Sequence, residues 1–159
     1  MSMRALRVRA TAPAAGPVRR PVPTLTPETT PFFTAGRRGE LLIYRCGGCG
    51  YWSHPPAPRC PECLSANVGP EPASGRGTVA SFTVNWHPWH PAFPPPYVIA
   101  LVELAEQPGL RVTTNLVRCA AGDVRVGMPV AVAFERAGDI YLPVFAPESG
   151  GLQTDEREA

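Results

Sequence analysis

From Ser74 onward the chain repeats short apolar runs separated by turn residues. In SGRGTVASFTVNW a glycine-marked bend precedes β-branched and aromatic residues. Strict alternation there puts Ala80, Phe82 and Val84 on one face and Val79, Ser81 and Thr83 on the other. YVIALVEL at 97–104 is a nearly continuous apolar run, the pattern of a central strand buried on both faces. QPG at 107–109 signals a turn that returns LRVTTNLV, 110–117, as a hairpin partner. GMPVAVAFERAGDIYLPVF predicts two further strands around AGD, with Val130, Val132 and Phe134 sharing a face. Five strands in about 75 residues, with no helix long enough for a βαβ crossover, predict a small closed OB-type barrel over 71–147, because closure removes exposed edges. An open β-sandwich is the alternative that this pattern leaves standing.

The first half reads differently. Residues 1–25 are rich in Ala, Pro and Arg without apolar periodicity, and read as a flexible tail that only a partner would order; 148–159 read as a second flexible tail. Within 26–40, Thr30 followed by Pro31 is a helix start: an N-cap hydroxyl, then a proline at the first helical position. Phe32 and Phe33 follow, and Gly36 or Gly39 ends the helix. Two turns are too short to stand alone, so the aromatic pair must pack on something. LLIYR at 41–45 reads as a strand. The fold class is therefore mostly β: a short N-terminal helix, a metal-binding ribbon over 41–70, and a five-stranded OB-type barrel.

The ribbon rests on four cysteines. Cys46, Cys49, Cys60 and Cys63 form C-x2-C-x10-C-x2-C, the spacing of a tetrahedral metal site. Gly47, Gly48 and Gly50 relieve crowding in the first turn and Pro61 stiffens the second. Structural Zn2+ is the expected ion, since four thiolates close the shell and leave no position for catalysis. Iron in the same geometry, or two disulfides, are the rivals. His54, between the knuckles, reads as a surface loop residue and Cys119 as a small buried hydrophobe.

Composition narrows the class. A chain of 159 residues with no run of about 20 apolar residues is expected to be soluble, and without a secretory apolar centre it is expected in the cytoplasm, where cysteines stay reduced. The net charge of +2, from 15 Lys+Arg against 13 Asp+Glu, is a weak footprint for nucleic-acid binding. The 21 prolines and 15 glycines call for many turns.

One connection stands out. NWHPWHPAFPPPY at 85–97 is too apolar for an ordinary solvated loop. Either Trp86, Trp89 and Phe93 cap one end of the barrel, or they form a proline-stiffened aromatic lip that meets a partner or a flat ligand. His87 and His90 belong to this contact set; three residues apart in a non-helical segment, they make a poor acid/base pair. Phe32, Phe33 and Arg76 complete the expected contacts, and Arg37, Arg38 and Arg111 join Arg76 as candidates to meet phosphates. No nucleophile–base constellation is apparent, so no catalytic residue is assigned.

The ordered series RCGGCGYWSHPPAPRCPECLS, SGRGTVASFTV, PYVIALVEL, NLV and DVRVGMPVAVAFE resembles the family of rubredoxin-like zinc-ribbon plus OB-fold proteins, domain-of-unknown-function family thirty-five, over residues 28–147. The resemblance implies an acyl-CoA-associated accessory subunit, commonly partnered with a thiolase-fold enzyme that holds the catalytic residues. In actinobacterial steroid and lipid catabolism, similar domains complex with a thiolase-like aldolase that cleaves a side-chain acyl-CoA, or sit beside a hot-dog-fold hydratase. Acyl-CoA at the interface, no membrane and no nucleic acid are the matching expectations for partners. A single-stranded nucleic-acid-binding protein, with Trp86, Trp89 and Phe93 as stacking platforms, is the rival of a different class. An independent CoA-ester enzyme is the third.

Overall fold

The computed structural model describes residues 20–148. The tails expected over 1–25 and 148–159 fall mostly outside the described residues. Helix α1 spans Thr30–Thr34 and continues as a 3-10 turn, Ala35–Arg38, that closes on Gly39 at φ +74°. The N-cap is Thr29 rather than Thr30, and no side chain caps the helix. The Thr30 hydroxyl donates instead to the Thr26 carbonyl at 2.6 Å, so the preceding turn takes up the group expected to cap. Of the two expected ends, Gly39 is the stop. Gly36 serves packing: a Cβ there would lie 2.5 Å from Phe134 Cδ1, so its absence lets the helical turn touch the barrel wall.

Strands β1 (Leu41–Cys46), β2 (Trp52–Ser53) and β3 (Val68–Ala73) form a three-stranded antiparallel sheet in the order β2-β1-β3. β3 has no counterpart in the sequence expectations, because Pro70 and Pro72 interrupt any strand pattern in VGPEPA. Its prolines are tolerated on an edge strand: Pro70 and Pro72 sit opposite Tyr44 and Leu42 of β1, and no strand lies beyond.

β4 (Arg76–Asn85), β5 (Tyr97–Leu104), β6 (Arg111–Leu116), β7 (Pro129–Ala137) and β8 (Ile140–Pro147) close into a barrel in the order β4-β5-β6-β8-β7. β7 returns to β4 from Arg76 to Thr78, and β6 meets β8 in parallel at Leu116 and Phe145. This is a five-stranded Greek-key closure of OB type, not a sandwich.

Two expectations about strand faces are corrected. A β-bulge between Val79 and Ser81 shifts the register, so Val79 opposes Val102 while Phe82 and Val84 oppose Ala100 and Val98. Val79 therefore joins Phe82 and Val84 on the inner face, and Ala80 is the extra residue; strict alternation does not survive a bulge. β5 is not buried on both faces. Val98, Ala100, Val102 and Leu104 are buried while Tyr97, Ile99, Leu101 and Glu103 are half-exposed, because the wall of a small barrel has helix or sheet behind it only in places.

The core runs through both parts of the chain. Leu41 and Ile43 of β1, each 1% exposed, pack in one cluster with the barrel residues Val79, Val102, Val130 and Phe145. Val132 and Phe134 flank Val130 against the same cluster, as their spacing predicts. Phe32 packs on it from α1 and meets Phe33 edge to face at 4.9 Å. No helix among the described residues is long and apolar enough to cross a membrane.

Candidate metal centre and exposed aromatic loop

β1 carries Cys46 to the end of the three-stranded sheet, where two turns of matching geometry face one another. In the first, Gly50 N–H donates to Cys46 O at 2.8 Å and Cys46 N–H to Tyr51 O at 2.8 Å. In the second, Leu64 N–H donates to Cys60 O at 3.0 Å and Cys60 N–H to Ser65 O at 2.9 Å. The fifth position of each turn must be left-handed. Gly50 takes φ +78° at no cost, whereas Leu64 takes φ +61° with a side chain attached. Gly47 has a different role: a Cβ there would sit 2.5 Å from the Asn67 amide nitrogen.

The four sulfurs lie within 4.8 Å of one another, with Cys46 and Cys63 3.6 Å apart and Cys49 and Cys60 3.5 Å apart. A regular tetrahedron of Zn–S bonds of about 2.3 Å places its sulfurs about 3.8 Å apart, so the cage fits a zinc ion closely. The separations exceed a disulfide bond of about 2.05 Å by a wide margin, which removes the two-disulfide rival. Cys46 and Cys60 are buried, Cys49 and Cys63 exposed.

Backbone N–H groups, that of Cys49 foremost, draw the Cys46 thiol down to about 6. At Cys49 the Tyr51 N–H pulls the same way, but the neighbouring sulfurs of Cys63 and Cys60 outweigh it and push this thiol up to about 12. Sulfurs this close oppose one another's ionisation, and a dication among them resolves the conflict. The donor set is closed, all-thiolate and without an open position, so the zinc is structural.

A second set of bonds ties the ribbon to the barrel. Gln107, in the β5–β6 turn, accepts from Trp52 N–H at 2.9 Å and donates to Trp52 O at 3.1 Å, pairing with β2 as a neighbouring strand would. Its neighbour Glu106 accepts from Ser74 N–H at the junction between β3 and β4. Sequence reasoning saw QPG only as a turn, since a side chain that imitates a strand leaves no pattern. His54 is also more than a loop residue. It stacks on Phe32 at 4.9 Å, and burial lowers its pKa from 6.5.

The β4–β5 connection divides in two. Phe93 lies inward, with Tyr97 at 5.4 Å and His90 at 5.9 Å, while His90 Nδ1 accepts from Ala92 N–H at 3.1 Å. Trp86 and Trp89 are each 73% exposed, so the expectation that they cap the barrel is not met. His87 stacks edge-on against Trp89 at 4.5 Å, part of the protruding turn. Phe32, Phe33, Phe93 and His54 line one cleft of about 430 Å³, with Arg20 and Asn115 at its polar side. The exposed tryptophans lie outside that lining. Helix and loop are thus brought together through Phe93 alone.

The arginines are less available than their spacing suggested. Arg76 makes two bonds to Glu148, at 2.6 and 2.8 Å, Arg111 binds Glu103 at 2.9 Å, and Arg38 binds Glu40 at 2.7 Å. Cys119 packs half-buried against the core, and burial together with the Asp123 carboxylate pushes its thiol up.

Comparison with known proteins places these features together. Residues 33–69 match the model of the ChsH2 rubredoxin-like zinc ribbon domain, and residues 70–135 the model of the ChsH2 C-terminal OB-fold domain. A probable enoyl-CoA hydratase alpha subunit of Thermomonospora curvata is 43% identical over 129 residues, 80% of this chain and 40% of that protein. The 3-oxo-4,17-pregnadiene-20-carboxyl-CoA hydratase alpha subunit of Mycobacterium tuberculosis is 35% identical over 79% of this chain and 40% of that protein. The chain thus spans about two fifths of the length of these relatives. A DUF35 domain-containing scaffold protein of Methanocaldococcus jannaschii is 37% identical over 60% of this chain and 68% of that protein. Among solved structures, a chain of the Ltp2-ChsH2(DUF35) aldolase superposes with a TM-score of 0.72 at 42% identity, covering 79% of this chain and 98% of that one. A DUF35 family protein of Sulfolobus solfataricus, 16% identical with a TM-score of 0.54, shares the fold.

Proposed function

This chain belongs to the ChsH2 family of proteins that join a rubredoxin-like zinc ribbon to an OB-fold, and on that footing we propose that it is a non-catalytic accessory subunit of a thiolase-fold enzyme. The observation that carries the reading is the match, at 42% identity, over 98% of a chain that is found in an aldolase with Ltp2. The enzyme partner supplies the reacting groups. This chain supplies shape: a zinc-fixed ribbon, an aromatic helix and an exposed loop on a rigid barrel. The substrate class is an acyl-CoA, of a steroid or lipid side chain, cleaved by the partner in the cytoplasm. The closed thiolate cage supports this division of labour, since it leaves no open metal position for chemistry.

Two relatives are hydratase alpha subunits, so a CoA-ester hydratase is the second candidate partner. Single-stranded nucleic acid is less well served. Such binding uses a cationic groove, and Arg38, Arg76 and Arg111 are each paired with a carboxylate.

The test is co-expression of the tagged chain with the thiolase-fold enzyme and, separately, the hydratase encoded nearest to its gene. A stoichiometric complex with the thiolase-fold enzyme on gel filtration, and acyl-CoA cleavage that needs both chains, are the expected results. Elution of this chain alone beside an enzyme that is fully active without it refutes the proposal. A complex with the hydratase alone moves the partner to that class.

A further inference from the structure

The lip between β4 and β5 has an anchor outside itself. Arg20, far away in sequence, runs its guanidinium under Phe93, with the central carbon 4.7 Å from the ring centroid. One terminal nitrogen donates to Asn115 Oδ1 of β6 at 2.9 Å, and the other pairs with Glu135 Oε2 of β7 at 2.6 Å. Asn115 is itself held, since its amide donates to Val98 O of β5 at 3.0 Å. A planar guanidinium can fill all three roles at once: a hydrogen bond to one barrel strand, an ion pair to another, and one face against an aromatic ring. Phe93 is thereby fixed at the root of the lip, and His90 and Tyr97 close around it.

Beyond this root the lip turns outward. Trp89 N–H donates to His87 O at 2.9 Å, a tight turn that presents Trp86 and Trp89 to solvent. No residue from Trp86 to Pro96 carries a carboxylate, ammonium or guanidinium group. Two exposed tryptophans on an uncharged, proline-stiffened turn have the chemistry of an interface centre, where aromatic residues are enriched and charges depleted.

We propose that Arg20 is the positioning residue of this lip, latching Phe93 so that Trp86 and Trp89 stand pre-formed as an apolar anchor for the thiolase-fold partner. The inference deepens the reading above and rests on it for the identity of the partner. Pre-formation matters because each side chain ordered only on binding weakens association. Arg20 touches no reacting atom; it acts through Phe93.

The latch is tested without the partner first. In the full chain carrying Trp52→Phe, time-resolved tryptophan anisotropy reads Trp86 and Trp89. Arg20→Ala and Arg20→Lys each increase the fast local motion, as does Phe93→Leu, while zinc content and melting temperature hold. Unchanged anisotropy in all three overturns the latch. The second arm is titration against the thiolase-fold enzyme that co-purifies with the wild-type chain. Affinity falls about tenfold in Arg20→Ala, the order expected when one or two side chains must be ordered on binding. Wild-type affinity changes less than about twofold between roughly 0.1 and 0.5 M salt, as an uncharged contact requires. A looser lip with unchanged affinity overturns the anchor but leaves the accessory-subunit reading intact. A wild-type chain that binds no thiolase-fold enzyme refutes that reading and the anchor with it, and anisotropy then decides the latch by itself.

Discussion

The zinc ribbon and the barrel solve the same problem by opposite means. From residue 47 to residue 70 the only buried side chain is Cys60, whereas β5 alone buries four apolar side chains in eight residues. A segment that hides so little cannot offset the entropy of ordering its backbone by apolar burial. Coordination bonds take that place in the ribbon, and the apolar cluster does so in the barrel. Hardness of structure therefore does not follow apolar content along this chain, and the two regions should break under different insults.

The largest effect belongs to the metal. Cys60→Ser, or removal of zinc by a chelator, should unfold 47–67 while the barrel keeps its strand signal, because structural zinc supplies about 10–16 kcal/mol of apparent binding energy in finger peptides. Metal analysis and circular dichroism of the purified variant check both halves. If the whole chain melts together, the two regions are less separable than their burial implies. Phe145→Ala attacks the other side. The ring is fully buried at the meeting of β6 and β8, so a loss of about 3–5 kcal/mol is expected in denaturant titration.

Gln107→Ala probes the join between the regions. It leaves the two Trp52 backbone groups to find water and should cost about 1–3 kcal/mol, read as faster hydrogen exchange at Trp52 with unchanged zinc content. The smallest effect is a gain. Leu64 holds φ +61° and is 68% exposed, so Leu64→Gly relieves a left-handed strain of about 1–2 kcal/mol. The extra freedom of glycine in the unfolded chain returns about 0.5–1 kcal/mol of that. The net gain, about 0–1.5 kcal/mol, should appear as slower zinc loss to a competing chelator.

How much of this was legible depends on whether a feature leaves a local pattern. The barrel strands were readable, because β-branched and apolar runs bounded by turn residues mark them even where, as in β5, the sequence does not alternate. The cysteine cage was readable as well, since ligand spacing is a covalent constraint. The bulge at Ala80 was not: one inserted residue reverses the facing of its neighbours without altering composition. β3 was hidden by Pro70 and Pro72, which are compatible with a strand only because nothing pairs with its outer edge. Arg20 and Gln107 were invisible for a further reason. Each works through partners at least 55 residues away, and long-range pairing writes no signature near either residue. Arg20 also lay in a segment whose composition reads as a tail. Its three contacts override that local reading, as tertiary context does.

Strand β1 has a consequence for the chain as a whole. Leu41 and Ile43 are embedded in the barrel cluster, and three residues beyond Ile43 the same strand presents Cys46 to the metal. By thermodynamic linkage, an ion bound only by the folded ribbon also favours the packed strand, and a well-packed strand tightens the ion by the same factor. Barrel substitutions that loosen the packing of Leu41 and Ile43, with no contact to any cysteine, should therefore register as weaker zinc binding.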